Sequence, residues 1–356
     1  MNVALVGHPL SGKSTLFAAL TGIDSAEASG YSEKGHVGMV EVADVRLDWL
    51  GQLCKARKIT HASLEFTDLP GVSFASPAEQ AKSLRLMAAI RQADMLLLVL
   101  RAFDNPAVAA YRQRVDAAAD LAELRNEFIF ADLEQVSNRI EKLQKQITKP
   151  TPEREHQKKE LALLEKGRKT LEAERPIAEI MHTPDDAKLV SSFGFLTEKP
   201  LAVVVNVSEN QRQNPPLVSG DPAIRQLALC ASLECELIQL SQQERSEFMA
   251  EMGVESLAAE RLVGCCYESL GLVSFLTYTH DQCRSWTVPA NTPAIGAAEK
   301  IHSDIARGFI RAEVVSFEDL KAASDFKQAK ADGKVRLESK QYPVQDGDVI
   351  TFRFNV

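Results

Sequence analysis

The stretch that decides the fold reads Val3-Ala-Leu-Val6-Gly7-His-Pro-Leu-Ser-Gly12-Lys13-Ser14-Thr15. Its apolar start predicts a strand, and an Ala- and Leu-rich helical pattern begins at Thr15. Between them lies Gly7-x-x-x-x-Gly12-Lys13-Ser14, the spacing of a phosphate-binding loop in the strand, loop and helix order that such a loop needs. An ordinary glycine-rich turn is the alternative, and the flanking strand and helix weigh against it.

Each residue type in this loop suits a bound nucleoside triphosphate with Mg²⁺. The two glycines let the backbone curl around phosphate oxygens. The loop N–H groups and the start of the following helix attract the anion. Lys13 is expected to reach the β- and γ-phosphates, and the Ser14 hydroxyl is expected to bind Mg²⁺. The nucleotide contacts predicted in this loop are Gly7, His8, Pro9, Leu10, Ser11, Gly12, Lys13, Ser14 and Thr15.

The length of 356 residues predicts more than one domain, and the composition is that of a globular protein. Hydrophobic residues make up 45% and charged residues 25%, and the formal net charge of −8 argues against wholesale wrapping of nucleic acid. No apolar stretch has a membrane-spanning length and no signal-like segment is visible, so we expect no membrane partner. Six cysteines without disulfide or zinc spacing predict a reducing, cytoplasmic compartment.

Apolar strand-like runs alternate with helical patterns along residues 1–126 and again along 182–272. This alternation predicts an α/β domain with a mostly parallel sheet covered by helices. The runs at 95–100 and 201–205 contain no polar residue, so they are expected to be central strands buried on both faces.

The segment 127–181 predicts an inserted, antiparallel coiled-coil hairpin. Two apolar stripes flank a proline-containing break, the first at Leu133, Val136, Ile140, Leu143 and Ile147 and the second at Leu161, Leu164 and Leu171. Residues 134–175 carry 11 Lys and Arg against 8 Asp and Glu, a net charge of +3. A solvated coiled coil and an arm that touches RNA or another acidic partner both fit this charge.

The last segment, 273–356, predicts a separate small α+β module. Short alternating runs are separated there by turn residues such as Asp332-Gly333 and Asp346-Gly347-Asp348. One helix is predicted near 297–307.

The sequence Asp68-Leu-Pro-Gly71 follows a strand-like run at 64–67. In P-loop proteins an Asp in this place holds Mg²⁺, usually through water. The glycine three residues later can present its N–H to the γ-phosphate, so the segment responds to the nucleotide state. Asp68 is therefore a predicted metal residue with Ser14, and Gly71 is a predicted catalytic residue with Lys13.

The sequence Asn206-Val-Ser-Glu209 follows the run at 201–205, where GTPases carry an Asn-Lys-x-Asp base-recognition element. Glu replaces the Asp that accepts the guanine donors, and Val replaces the Lys that covers the base, so we expect a weaker preference for guanine. A simple helix cap at Asn206 is the alternative. The predicted base contacts are Asn206, Val207 and Glu209, together with Ala231, Ser232 and Leu233 of a second loop.

With these motifs the chain resembles the YchF / Obg-like ATPase family of translation-factor-related P-loop GTPases. The resemblance extends from the P-loop and the Asn-x-x-Glu element through the helical insert to 244–249, 284–289, 301–313 and 342–356. It implies a G-domain with an inserted hairpin and a C-terminal, ubiquitin-like TGS domain. It further implies Mg²⁺-dependent binding of ATP, or GTP, slow hydrolysis, and association with ribosomes or RNA through the hairpin and the TGS domain. The protein is expected to be a monomer.

Three departures from the family pattern fall at the predicted active site. Leu10 stands where relatives carry an Asn that can help to bind a monovalent cation, and leucine cannot coordinate one. Ser32 is the best local candidate for the first-switch Mg²⁺ ligand, against an ordinary polar loop residue. The third departure concerns the catalytic water. Val72 stands where many relatives of the wider class carry a Gln that orients this water, and members of the YchF family share that substitution.

For the catalytic water, the YchF family uses a His on the loop after its fourth strand, which corresponds to the run at 95–100. The matching loop here, 104–114, contains no His. Tyr111, Arg112 or Arg114 is a candidate to compensate. His8 and His36 are nearer the expected phosphates, and a surface role is expected for each.

Two functional hypotheses therefore stay open. One is a slowly hydrolysing nucleotide switch, and the other is a nucleotide-binding module that signals by occupancy alone. The missing Gln and His favour the second, whereas Lys13, Ser14, Asp68 and Gly71 fit both. A small-molecule kinase would share the loop, but the sequence contains no identifiable substrate site for it.

Overall fold

The structure, a computed structural model, describes residues 1–23, 35–148, 152–222, 224–254, 256–279 and 281–355. Its contacts divide the chain into two compact units. The first unit comprises Met1–Gly38 and Glu65–Ala258, and the second comprises Met39–Leu64 and Ala259–Val356. The predicted Mg²⁺ ligand Ser32 lies outside the described residues.

The elements follow one another in a mixed order of strands and helices. The strands are β1 Asn2–Val6, β2 His36–Glu41, β3 Lys58–Thr60, β4 Ser63–Asp68, β5 Met95–Arg101, β6 Leu201–Asn206, β7 Arg225–Leu229, β8 Leu272–Tyr278, β9 Gln282–Pro289, β10 Phe309–Ser316, β11 Arg336–Glu338 and β12 Asp348–Phe354. The helices are α1 Lys13–Thr21, α2 Val45–Cys54, α3 Pro77–Ile90, α4 Ala117–Gln146, α5 Arg154–Glu172, α6 Pro184–Val190, α7 Ala231–Gln239, α8 Gln242–Glu251, α9 Ala258–Ser269, α10 Ala294–Ile301, α11 Ser303–Arg307, α12 Phe317–Ala323 and α13 Phe326–Ala331. Where the chain is described, no helix is long and apolar enough to span a bilayer.

The first sheet has the strand order β2-β4-β1-β5-β6-β7. β1 pairs in parallel with β4 and β5, and β5, β6 and β7 continue the parallel ladder. Every residue of β5 is buried, which confirms the prediction of a central strand. Because the strands are parallel, their carboxyl ends meet at one edge, where ligands bind in open α/β sheets. Gly7, Asp68 and Asn206 all lie at or just beyond these ends.

The helical hairpin is formed by α4 and α5, as predicted. Val136, Ile140 and Leu143 of α4 are buried in one core with Leu164 and Leu171 of α5. The apolar stripe of α5 differs in one position from the prediction. Leu163, which was not predicted, is buried in this core, whereas the predicted Leu161 is only partly buried at its margin. α4 begins at Ala117, and its first turns pack in the core of the sheet. The hairpin is therefore a continuation of a sheet-packed helix.

The second sheet has the order β11-β10-β12-β8-β9-β3. β8 and β9 are antiparallel, β10 and β12 are antiparallel, and β12 is parallel to β8, so the sheet is mixed, as expected of an α+β module. The edge strand β3 comes from residues 58–60 and pairs with β9, a partnership for which the sequence pattern gives no signal. The prediction of a single helix near 297–307 is wrong. His302 is extended there (φ −165°, ψ 140°) and separates α10 from α11.

Candidate functional site

The loop between β1 and α1 is a compact turn. Neighbouring groups approach Gly7 and Gly12 so closely that a side chain would not fit at either position. A Cβ on Gly7 would collide with the Val99 carbonyl, and a Cβ on Gly12 would collide with the Asn206 amide. Gly12 is the N-cap of α1 with φ 92°, a conformation that disfavours residues with a Cβ. The start of α1 therefore faces the space in front of the loop without a capping side chain, which suits an anion.

The Lys13 side chain folds back over this loop. It is buried, and Nζ donates a hydrogen bond to the His8 carbonyl at 3.1 Å. Burial lowers the pKa of Lys13 to about 8, and the nearby Asp68 carboxylate opposes that effect. A buried ammonium bound mainly to a carbonyl can exchange that contact for phosphate oxygens.

Ser14 and Asp68 meet in front of the loop. The Ser14 hydroxyl donates to Asp68 Oδ2 at 2.6 Å, which joins the first turn of α1 to the end of β4. Asp68 Oδ1 is buried and has no hydrogen-bond partner among the described residues. Burial raises the pKa of Asp68, opposed by the hydrogen bond from Ser14 and the charge of Lys13. A hydroxyl oxygen beside a buried, incompletely bonded carboxylate is the kind of hard oxygen pair that fits Mg²⁺.

Asn206 connects the loop to the segment that begins α7. Its Nδ2 donates to the Ser11 carbonyl at 3.0 Å, and its Oδ1 accepts from the Ala231 N–H at 3.1 Å. Its carbonyl accepts the N–H groups of Ala102 at 2.8 Å and Phe103 at 3.1 Å. Asn206 thus ties four segments together, which is more than the helix cap considered from sequence.

The remaining residues predicted at the base divide into buried and exposed positions. Val207 and Leu233 have side chains in hydrophobic cores, so only their backbones face the site, and Ala231 is also buried. Glu209 and Ser232 are exposed and carry the polar groups available to a base. Leu10 is 56% exposed with φ 62°, and Pro9 packs against Gly71, where an added Cβ would lie 2.8 Å from Pro9 Cα.

His8 is buried, with 1% exposure, so the expected surface role is wrong. Its Nδ1 lies 2.8 Å from the Val72 carbonyl, and its ring stacks on Tyr111 with centroids 3.9 Å apart. Burial lowers the pKa of His8, with Lys13 acting in the same direction and Glu123 opposing it. No sequence pattern indicates this cluster, because Glu123 is one of many acidic residues on a long amphipathic helix.

The candidates on the loop after β5 are held by protein groups. Arg112 Nη2 lies 2.5 Å from Glu123 Oε1 and 3.2 Å from the Phe74 carbonyl. Arg114 lies 3.5 Å from carboxylate oxygens of both Asp116 and Asp120. Both guanidiniums are engaged in this structure, so either would have to leave a carboxylate to reach a phosphate.

Two family models match the chain. Residues 2–146 match a family described as "50S ribosome-binding GTPase". Residues 272–355 match YchF-GTPase_C, described as "Protein of unknown function (DUF933)".

Whole-chain comparisons point in the same direction. The chain is 36% identical to the "Ribosome-binding ATPase YchF" of Bacillus subtilis, with 100% of both chains covered. It is 34% identical to the protein of the same name from Haemophilus influenzae, covering 99% of this chain and 98% of the relative. Among solved structures it is similar to the Schizosaccharomyces pombe YchF GTPase, with a TM-score of 0.85, 26% identity, and 99% and 97% of the two chains covered.

Proposed function

This chain belongs to the YchF family, and from that premise we propose that it is a Mg²⁺-dependent purine nucleotide switch that binds ATP, or GTP, and hydrolyses it slowly. Relatives over the full length are named ribosome-binding ATPases, and a solved relative is named a GTPase. The observation that carries the proposal is the meeting of Ser14 and Asp68 at 2.6 Å in front of a left-handed glycine turn.

The proposed roles follow from this geometry. Gly7 to Thr15 wrap the phosphates, and Lys13 moves from the His8 carbonyl to the β- and γ-phosphates. Ser14 and Asp68 hold Mg²⁺, which when bound neutralises charge on the phosphate oxygens. Gly71 presents its N–H to the γ-phosphate. Ser32 stays a predicted metal ligand.

Base recognition is proposed for Glu209 and Ser232, with Asn206 as the anchor of both loops. The carboxylate of Glu209 is one methylene longer than the Asp of guanine-specific sites, and Val207 leaves no Lys stem over the base. Both differences support ATP over GTP.

Calorimetry with ATP, GTP and their diphosphates, in the presence and absence of Mg²⁺, tests the proposal. We expect ATP binding that Mg²⁺ strengthens, and we expect Asp68→Asn to remove most of the Mg²⁺ effect while ADP binding without metal is retained. Glu65→Gln, on the same strand, is the matched control. Equal Mg²⁺ dependence in the Asp68 variant and the parent would contradict the assigned metal site.

A second candidate function is nucleotide binding with little or no hydrolysis. It is favoured by Val72, whose side chain is fully buried in the core and cannot hold a water. The two candidates are separated by a single-turnover experiment with γ-³²P-labelled ATP. Labelled triphosphate that stays intact for hours on the protein, with ribosomes present, would rule out the hydrolysing switch.

Ribosome or RNA association through the hairpin is proposed from the charge on its surface. A cavity of about 590 Å³ is formed by residues of α5 and α6. His156, Lys159, Lys166 and Lys188 line it, against Asp185 and Asp186. Phosphate contacts by such lysines release counterions, so binding should weaken steeply with salt.

Co-sedimentation with ribosomes across a salt series tests this surface. The double variant Lys159→Ala with Lys166→Ala should reduce the slope of log affinity against log salt by about 2. Lys142→Ala, on the same hairpin but outside the cavity, should not change it. An unchanged slope in the double variant would refute the hairpin as the contact. The TGS-type contact, the cytoplasmic location and the monomeric state stay predictions.

A further inference from the structure

Three consecutive residues of the phosphate-binding loop, Gly7, His8 and Pro9, contact the backbone at Gly71 and Val72, where the Asp-x-x-Gly element ends. The Val72 N–H donates to the Gly7 carbonyl at 3.1 Å. The Val72 carbonyl lies 2.8 Å from His8 Nδ1. Gly71 packs so tightly on Pro9 that a Cβ would lie 2.8 Å from the Pro9 backbone nitrogen. Of these contacts, only the one from His8 is a side-chain hydrogen bond.

The contact fixes which ring nitrogen of His8 carries the proton. A carbonyl oxygen can only accept, so Nδ1 must be the donor. The ring is buried, which lowers its pKa and favours the neutral form. In the neutral ring Nε2 then has a lone pair, and it has no hydrogen-bond partner in the described part of the chain.

The His8 ring also contacts the loop after β5, through Tyr111. Tyr111 stacks on the ring at 3.9 Å with an interplanar angle of 15°. The Tyr111 hydroxyl accepts the Phe74 N–H at 3.1 Å. Glu123 Oε2 lies 3.7 Å from Nε2 of His8, and Arg112 bonds both Glu123 and the Phe74 carbonyl. The imidazole is therefore the common neighbour of the P-loop, residues 71–74 and the loop after β5.

We propose that His8 is a positioning residue that holds Gly71 and Val72 in the geometry needed for triphosphate-dependent turnover. The inference rests on the proposed function, in which Gly71 N–H faces the γ-phosphate. Val72 cannot orient a water through its side chain, so its backbone is the part of it that can contribute. His8 fixes that backbone from one side and the stacked Tyr111 fixes His8 from the other.

The test compares His8→Leu with His8→Asn in the full-length protein. Leucine fills the space without a donor, whereas the asparagine amide nitrogen is as many bonds from Cβ as Nδ1 is. Loss of one hydrogen bond of ordinary strength predicts a single-turnover rate about five-fold lower for His8→Leu, with ADP affinity within two-fold of the parent. His8→Asn should recover at least half of the lost rate. An unchanged or raised rate in His8→Leu, or no recovery in His8→Asn, overturns the proposal.

Two measurements without nucleotide keep the proposal open to refutation if the leucine variant does not fold. Nitrogen-15 shifts of the His8 ring in the parent protein should show the Nδ1–H form, and the Nε2–H form would overturn the proposal. The Val72 amide should exchange with deuterium about five-fold more slowly in the parent than in a variant without the donor, His8→Leu or the smaller His8→Ala, whichever is folded. Equal exchange would also overturn it.

The controls separate this inference from the proposed function. If the parent binds no MgATP, the proposed function fails, whereas the tautomer and exchange data still decide the arrangement around His8. His61, a partly buried histidine 3.2 Å from Asp48 in the second unit, provides the matched substitution. His61→Asn should leave the single-turnover rate unchanged.

Discussion

The phosphate half of the site and the half that would act on water are built in different ways. The phosphate half consists of one short loop and one carboxylate, from Gly7 to Ser14 with Asp68, and its parts meet through backbone turns and one hydrogen bond of 2.6 Å. The other half is centred on the His8 side chain, which leaves the same loop and contacts the Val72 carbonyl, and on Tyr111 and Glu123, which reach His8 from distant segments. The loop and its carboxylate follow a motif of fixed spacing, whereas the contacts around His8, on which we propose that turnover depends, follow no local sequence pattern.

Substitution of Lys13, on the phosphate side of the site, should have the strongest effect on nucleotide binding. Lys13→Ala should weaken MgATP binding by about 100-fold or more, because it removes a buried ammonium that makes charge-assisted bonds to the β- and γ-phosphates. Calorimetry measures the loss, and Lys159→Ala, an exposed lysine of the hairpin, serves as the control. Affinity within three-fold of the parent would show that the triphosphate binds elsewhere.

A second prediction concerns protein stability near Glu123, in the half of the site that would act on water. Asp120 is buried on α4 beside Arg114, and no residue that the structure describes donates a hydrogen bond to its Oδ1. Burial raises the pKa of Asp120 to about 6, and the charges of Glu123 and Asp116 add to that effect, while Arg114 opposes it. The folded state therefore holds the proton more tightly than the unfolded state, and the ionised carboxylate at pH 7 destabilises the fold.

Asp120→Asn should accordingly raise the free energy of unfolding at pH 7.5 by roughly 1–3 kcal/mol. The gain should shrink as the pH falls through 6 and disappear near the ordinary pKa of an aspartate, about 4. Urea unfolding at several pH values measures it, with the exposed carboxylate of Glu247, changed to Gln, as control. A gain that grows on acidification would contradict the assigned cause.

The smallest expected effect lies at the base. Glu209→Asp shortens the exposed carboxylate to the length found in guanine-specific sites, so the ratio of GTP to ATP affinity should rise by roughly 3- to 10-fold, about one hydrogen bond. Competition binding with both nucleotides measures the ratio. Glu251→Asp makes the same change on α8 and should have no effect. A ratio that does not move in Glu209→Asp would place the base away from residue 209.

Most of the fold could be predicted, and so could the meeting of the loop at Ser14 with Asp68, because both depend on local pattern. The YchF resemblance and the α/β fold are confirmed, and β5 and the α4–α5 hairpin lie where periodicity places them. The burial of His8 could not be predicted, since it depends on Tyr111 and Glu123, more than 100 residues away. The strand β3 was missed for the same reason, because its partner β9 is over 200 residues later.

Asn206 has a practical consequence for chemical control of this protein. One amide sets the spacing between the phosphate loop and the segment that starts at Ala231. The exposed positions Glu209 and Ser232 sit beside that anchor without contributing to it. With the adenine placed there, as we propose, the double variant Ser232→Gly with Glu209→Ala should accept ATP analogues that bear a bulky group on the adenine ring. The phosphate loop would be unaltered, so such an analogue would bind the variant selectively among the nucleotide-binding proteins of a cell.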